Sequence, residues 1–203
     1  MKPSLSVPLV QTIEHFSNMA RRENLCWMLG GSCGLALHGV QLEGVPRDVD
    51  IYADEQDGLQ LQQLWKAYAV DEPEWNETER YRSLLSHYEY KGVSIELVGD
   101  FVVSTPLGQY VTGIRGLLWN YGLEVQLGHT FVHVMPLAHE LVFNVLRERK
   151  DRVQSIVSVM NQSPQLHVDS MRMVWAQCSE HAQLSEALAE LCPDIMSHIF
   201  TSH

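Results

Sequence analysis

Two carboxylates are set one residue apart inside an otherwise apolar segment, Asp48-Val49-Asp50-Ile51-Tyr52. On a strand, residues i and i+2 point to one face, so Val49 and Ile51 can enter a core while Asp48 and Asp50 project together from the other side. Two unit charges about 4 Å apart repel by roughly 4 kcal/mol at an effective dielectric near 20. A chain that keeps such a pair either leaves it in water at a strand end or places a cation between the two. A divalent ion such as magnesium suits a few carboxylates, with water and phosphate oxygens completing its shell.

A second feature stands upstream. The apolar run Leu25-Cys26-Trp27-Met28-Leu29 stops at Gly30-Gly31-Ser32. The run reads as a buried strand and Ser32 as the N-cap of a short helix through Leu35-Ala36-Leu37, ended by Gly39. A glycine turn opening a helix lets the backbone approach an anion closely. Gly-Gly-Ser also occurs in many ordinary turns. Glu96 is the third feature. It lies in Val93-Ser94-Ile95-Glu96-Leu97-Val98, a run whose alternation puts Ser94, Glu96 and Val98 on one face. A carboxylate in the middle of such a strand needs water, a partner or a metal.

The remaining pattern fixes the fold class. Helical spacing covers about 8–23, and Leu59, Leu61, Leu64 and Trp65 suggest another helix. The acidic stretch 71–79 reads as a solvated loop. Lys91-Gly92 reads as a hairpin turn, and strand pattern returns at 123–127 and 130–134. From Pro136 the runs become helical, at 137–146, 153–160, 168–178 and 184–191. The expectation is an α+β protein, a mixed β-sheet flanked by helices. Residues 1–135 form the α/β core, and 136–203 form a C-terminal helical unit packed on it.

Composition narrows the function classes. The 203 residues are 45% hydrophobic and 19% charged, with a net charge of −11. Disorder and low complexity are excluded. So is the polycationic footprint of a long-nucleic-acid binder. No segment reaches the roughly 18–20 apolar residues of a membrane span, and the N-terminus lacks a signal-like apolar run. Cys26, Cys33, Cys178 and Cys192 form no C-x-x-C pair, which leaves buried thiols and a cytoplasmic location as the expectation. His38 and Trp27 read as packing residues.

Taken together, Trp27-Met28-Leu29-Gly30-Gly31-Ser32, Leu37-His38-Gly39, Arg47-Asp48-Val49-Asp50-Ile51 and Ile95-Glu96-Leu97 resemble the nucleotidyltransferase superfamily that includes DNA polymerase beta. The nearest likeness is to small bacterial proteins of the abortive-infection and minimal nucleotidyltransferase kind, which often carry a later Arg-x-Lys-Asp-like helix; here Arg149-Lys150-Asp151 stands in that place. The resemblance spans about 25–155. It implies the nucleotidyltransferase fold, a nucleoside triphosphate (ATP foremost) and Mg2+ or Mn2+. It implies Asp48, Asp50 and Glu96 as catalytic metal ligands, with Glu96 alternatively a general base. It implies Gly30, Gly31, Ser32, Arg47, Arg149 and Lys150 around the nucleotide. The chain departs from the pattern in a longer interval from Ser32 to Asp48, in Arg47 abutting Asp48, in Glu rather than Asp at 96, and in Gln154 where relatives often have Asp. The expected activity is transfer of a nucleoside monophosphate to a hydroxyl of a small acceptor. A tRNA or protein acceptor, a homodimer and a non-catalytic nucleotide- or partner-binding module on the same fold are the other readings.

Overall fold

The structure is a computed structural model that describes residues 5–179 and 182–200. Helix α1 (Val7–Arg22) opens the chain, with Leu9, Ile13, Phe16 and Ala20 buried along one stripe. Strand β1 (Met28–Gly30) leads directly into α2 (Gly31–Leu37). Then come β2 (Val49–Ala53) and α3 (Glu55–Trp65). A run of antiparallel strands follows: β3 (Glu74–Glu77), β4 (Tyr81–Tyr90), β5 (Val93–Thr105) and β6 (Gly108–Val111). The hairpin β7 (Leu123–Leu127) and β8 (Thr130–Val134) precedes α4 (Leu137–Leu146) and α5 (Lys150–Met160). The end is α6 (Val168–Trp175), β9 (Cys178–Ser179), α7 (Ala182–Leu191) and α8 (Pro193–Phe200).

The strands form one mixed sheet in the order β3-β4-β5-β2-β1-β8-β7, with β6 on β5 and β9 on β6. β1 and β2 are antiparallel, whereas β2 with β5 and β1 with β8 are parallel. Both faces are covered. On one, α1 and α3 bury Phe16, Leu61 and Trp65 against Val49, Ile51, Ile95 and Leu97. On the other, α4 to α8 bury Leu141, Met171 and Leu188 in a cluster that reaches Met28, Tyr52 and Val98. Period-two alternation therefore assigns Asp50 (with Tyr52) and Glu96 (with Val98) to the α4 face.

Several local expectations change. Of the first apolar run only Met28 and Leu29 are strand, which continues to Gly30. Gly30, extended at φ −127, is the cap of α2, and Ser32 lies inside the first turn. The acidic stretch is not all loop: Glu74–Glu77 pairs with β4, although all four residues are exposed, because partner strand β4 supplies the apolar face. The sequence 168–178 is helix only to Trp175; Cys178 pairs with Tyr110 as strand. The hairpin at 91–92 is as expected, with Lys91 and Gly92 both at positive φ (51 and 79) and Tyr90 opposite Val93. Among the described residues no helix is long and apolar enough to cross a membrane.

Candidate active site

Strand register builds the site. Gly30 is opposite Asp50, Asp50 is opposite Glu96, and Glu96 is opposite His87. Four adjacent strands thus hold one transverse row, glycine, aspartate, glutamate, histidine, on the face toward α4. Asp48 sits just before β2 and is exposed, while Asp50 and Glu96 are half-buried.

The turn and Asp50 are in close contact. Gly31 has φ +57, and a Cβ there would lie 1.8 Å from Asp50 Oδ2. No other residue fits at 31 without moving the aspartate. Burial first, then repulsion from Asp48 and Glu96, raises the Asp50 carboxyl to about 6, against an opposing pull from Arg152 and Arg147. The donor set is all oxygen and short of positive charge, which fits a hard divalent cation. Among the described residues, though, no three His, Cys, Asp or Glu groups are already gathered for a metal ion. Part of the reason is visible: Glu96 Oε2 pairs with His87 Nε2 at 3.4 Å. The ring of His87 is anchored from its other side by Asp71, which accepts from the His87 backbone N–H at 2.9 Å and pairs with Nδ1. His87 is raised above the ordinary histidine value; burial opposes this rise, and the partners Asp71 and Glu96 cause it.

Solved structures match this fold. One is a Thermotoga maritima protein provisionally named a nucleotidyltransferase, 18% identical, aligned over 78% of this chain and 96% of that chain at a TM-score of 0.62. This chain has the nucleotidyltransferase fold. The lincosamide antibiotic adenylyltransferase LnuA, lincomycin-bound, aligns at 12% identity over 76% of this chain and 98% of that one, with a TM-score of 0.45. ANT(2'')-Ia in complex with adenylyl-2''-tobramycin aligns at 11% identity over 94% and 98%, with a TM-score of 0.44. No protein-family model and no curated protein match the sequence.

On this nucleotidyltransferase fold the cations are distributed differently from the sequence expectation. Arg47 is exposed and lines a groove with Leu9 and Val93 on the α1 side. Lys150 is exposed at the start of α5. Arg149 bonds Asp151 at 3.2 Å. The cations that lower the Asp50 carboxyl are Arg152 and Arg147, one after and one before the α4–α5 corner, and the Arg147 guanidinium lies 4.9 Å over the Phe143 ring. Arg152 Nη2 donates to Ser32 Oγ at 3.0 Å. A cavity of about 220 Å³ opens beside that bond, lined by Ser32, Arg149, Arg152, Ser155 and the loop 41–45.

Glu140 is the residue that the sequence did not announce. It is buried in α4, and its Oε1 accepts the Gly31 N–H at 2.9 Å. That donor was expected to face a phosphate. Burial, opposed by the Gly31 bond, raises the Glu140 carboxyl to about 7. The only sequence signal was a charged residue within the apolar helix Leu137-Ala138-His139-Glu140-Leu141-Val142.

Proposed function

We propose that the chain is a metal-dependent nucleotidyltransferase that moves a nucleoside monophosphate from a nucleoside triphosphate, ATP foremost, to an acceptor hydroxyl. The observation that carries the reading is the in-register placement of Asp50 between Gly30 and Glu96, with Asp48 beside it. Asp48 and Asp50 would hold Mg2+ or Mn2+, with Glu96 as third ligand once it leaves His87. A cation bound there supplies charge neutralisation at the phosphates and lowers the pKa of the acceptor hydroxyl.

The chain's own residues do the rest. Ser32, Arg149 and Arg152 line the cavity beside the turn and would hold the outgoing phosphates. The acceptor oxygen forms a bond to the α-phosphorus as the bond from that phosphorus to the bridging oxygen breaks. Pyrophosphate leaves, and Glu96 takes the acceptor proton when it serves as general base. The net charge of −11 favours a small, cationic or neutral acceptor over a polyanion.

The test incubates the purified chain with Mg2+ or Mn2+ and each of four labelled nucleoside triphosphates, with a panel of small hydroxyl acceptors. Metal-dependent pyrophosphate release, lost in Asp50→Asn, is the expected outcome. Metal-dependent nucleotide binding without release would favour the non-catalytic module. Neither binding nor release would refute the reading.

A further inference from the structure

A fully buried carboxylate in an apolar helix is costly: removing such an ion from water carries a penalty of several kcal/mol unless its partners offset it. Glu140 is 1% exposed, and its neighbours Leu137, Leu141 and Val142 are core. A leucine at 140 would serve the packing of α4 as well. What Glu140 does instead is hold the glycine turn. Its Oε1 accepts from the Gly31 N–H at 2.9 Å, and a Cβ on Gly30 would come within 3.2 Å of the same oxygen. On the opposite side of Gly31 lies Asp50, whose carboxylate occupies the space of the absent Cβ. The turn is gripped between two acids from different elements.

Asn144, one helical turn on, braces the grip. Its Nδ2 donates to the Glu140 backbone oxygen at 2.7 Å and to Glu140 Oε2 at 3.3 Å. The Asn144 backbone oxygen accepts the Arg149 N–H at 2.9 Å, within the corner that places Arg147 and Arg152. Asn144 is itself 0% exposed. One chain of hydrogen bonds therefore runs from the glycine turn through α4 to the arginine corner.

We propose that Glu140, braced by Asn144, is a positioning residue: it fixes the glycine turn against Asp50 and in register with Arg147 and Arg152, so that the triphosphate meets a preformed cradle. The proposal rests on the nucleotidyltransferase reading. It assigns a site role to α4, which carries none of the motif residues. Glu140 touches no substrate; it acts through Gly31.

The test compares Glu140→Gln, which keeps a carbonyl acceptor for Gly31, with Glu140→Leu, which keeps volume and removes it. Three readouts are taken: melting temperature, KM and kcat for the triphosphate, and exchange of the Gly31 amide by NMR. Glu140→Leu is expected to melt at or above wild type, to exchange Gly31 faster, and to raise KM about tenfold or more, the factor that ~1.4 kcal/mol of lost positioning represents. Glu140→Gln is expected to stay within a few-fold of wild type. A leucine variant with wild-type KM and wild-type Gly31 exchange overturns the proposal, as does a glutamine variant that fails as badly as leucine. Should the leucine variant not fold, Asn144→Ala carries the test; wild-type KM and Gly31 exchange there overturn it. If the wild-type chain binds no triphosphate, the nucleotidyltransferase reading fails by that result alone. The clamp is then judged by the Gly31 amide, which must exchange faster in Glu140→Leu.

Discussion

The two sides of the site are built by different physics. The sheet side is a row set by strand register, Gly30, Asp50, Glu96 and His87, each a fixed inter-strand step from the next. The helix side is a corner between α4 and α5, where Glu140, Arg147 and Arg152 converge from one stretch of chain. Burial first, then the negative charge of Asp48 and Glu96, raises Asp50; Arg152 and Arg147 at the corner pull it back down. Register is stiff, because a one-residue slip would send every side chain to the other face. A helix corner can shift by fractions of a turn. The row should therefore decide whether the site works at all, and the corner how tightly it holds its phosphates.

The largest effect is expected on the row. Asp50→Asn should lower kcat/KM by ~1,000-fold or more, since a metal site contributes several kcal/mol to the transition state. It should do so without loss of fold, as judged by an unchanged or higher melting temperature. The corner should matter less and differently. Arg152→Ala removes the bond to Ser32 and a cation of the cavity, and should raise KM for the triphosphate about 10- to 100-fold, the value of a charge-assisted hydrogen bond. Lys150→Ala, at an exposed position, should stay within about twofold. Equal effects from Arg152 and Lys150 would break the distinction between the inward and outward faces of α5.

pH separates the two regions as well. Asp50 holds its proton to about 6 in the folded chain, against 3.8 for the ordinary group. Between those values the folded state binds more protons than the unfolded one, so stability falls as pH rises through the window. Asp48 and Glu96 press in the same direction, and Arg152 and Arg147 oppose them. Glu140, raised from 4.5 to about 7, extends the fall to higher pH. Metal-free melting curves from pH 4 to 8 should show the decline, and Asp50→Asn should flatten its lower part while Glu140→Gln flattens its upper part. A small effect is expected at His87. Its contact with Glu96 is solvent-accessible at 3.4 Å, and His87→Asn should change kcat/KM by no more than about fivefold, the upper range for exposed ion pairs.

The legibility of the two sides follows from the same contrast. Asp48, Asp50 and Glu96 stood out because a charge within period-two alternation is visible in a window of five residues. Pairing of the β2 and β5 segments then needed only the fold. The hairpin at Lys91-Gly92 was legible for a similar local reason. The corner was not. Arg147, Arg149, Lys150 and Arg152 lie within six residues, and which of them face inward depends on the angle between two helices, which no local pattern sets. Arg149 and Lys150 matched the family-like signature; in the structure Arg149 lines the cavity beside the turn together with Arg152, which bonds Ser32, while Lys150 is exposed. Strand β3 was missed because Trp75 is 42% exposed and the rest of the strand, Glu74, Asn76 and Glu77, is polar. An edge strand with no buried face of its own gives no hydrophobic alternation to read.

The central claim is that Asp48, Asp50 and Glu96 jointly hold a divalent ion with a triphosphate at the glycine turn. Its most direct test is a titration of Mn2+ into the chain by electron paramagnetic resonance, with and without a non-hydrolysable ATP analogue, in wild type and in Asp50→Asn. The account expects Mn2+ to bind wild type, more tightly with the analogue present, and to lose both effects in the variant. Equal Mn2+ binding by wild type and Asp50→Asn, or none by either, would contradict it.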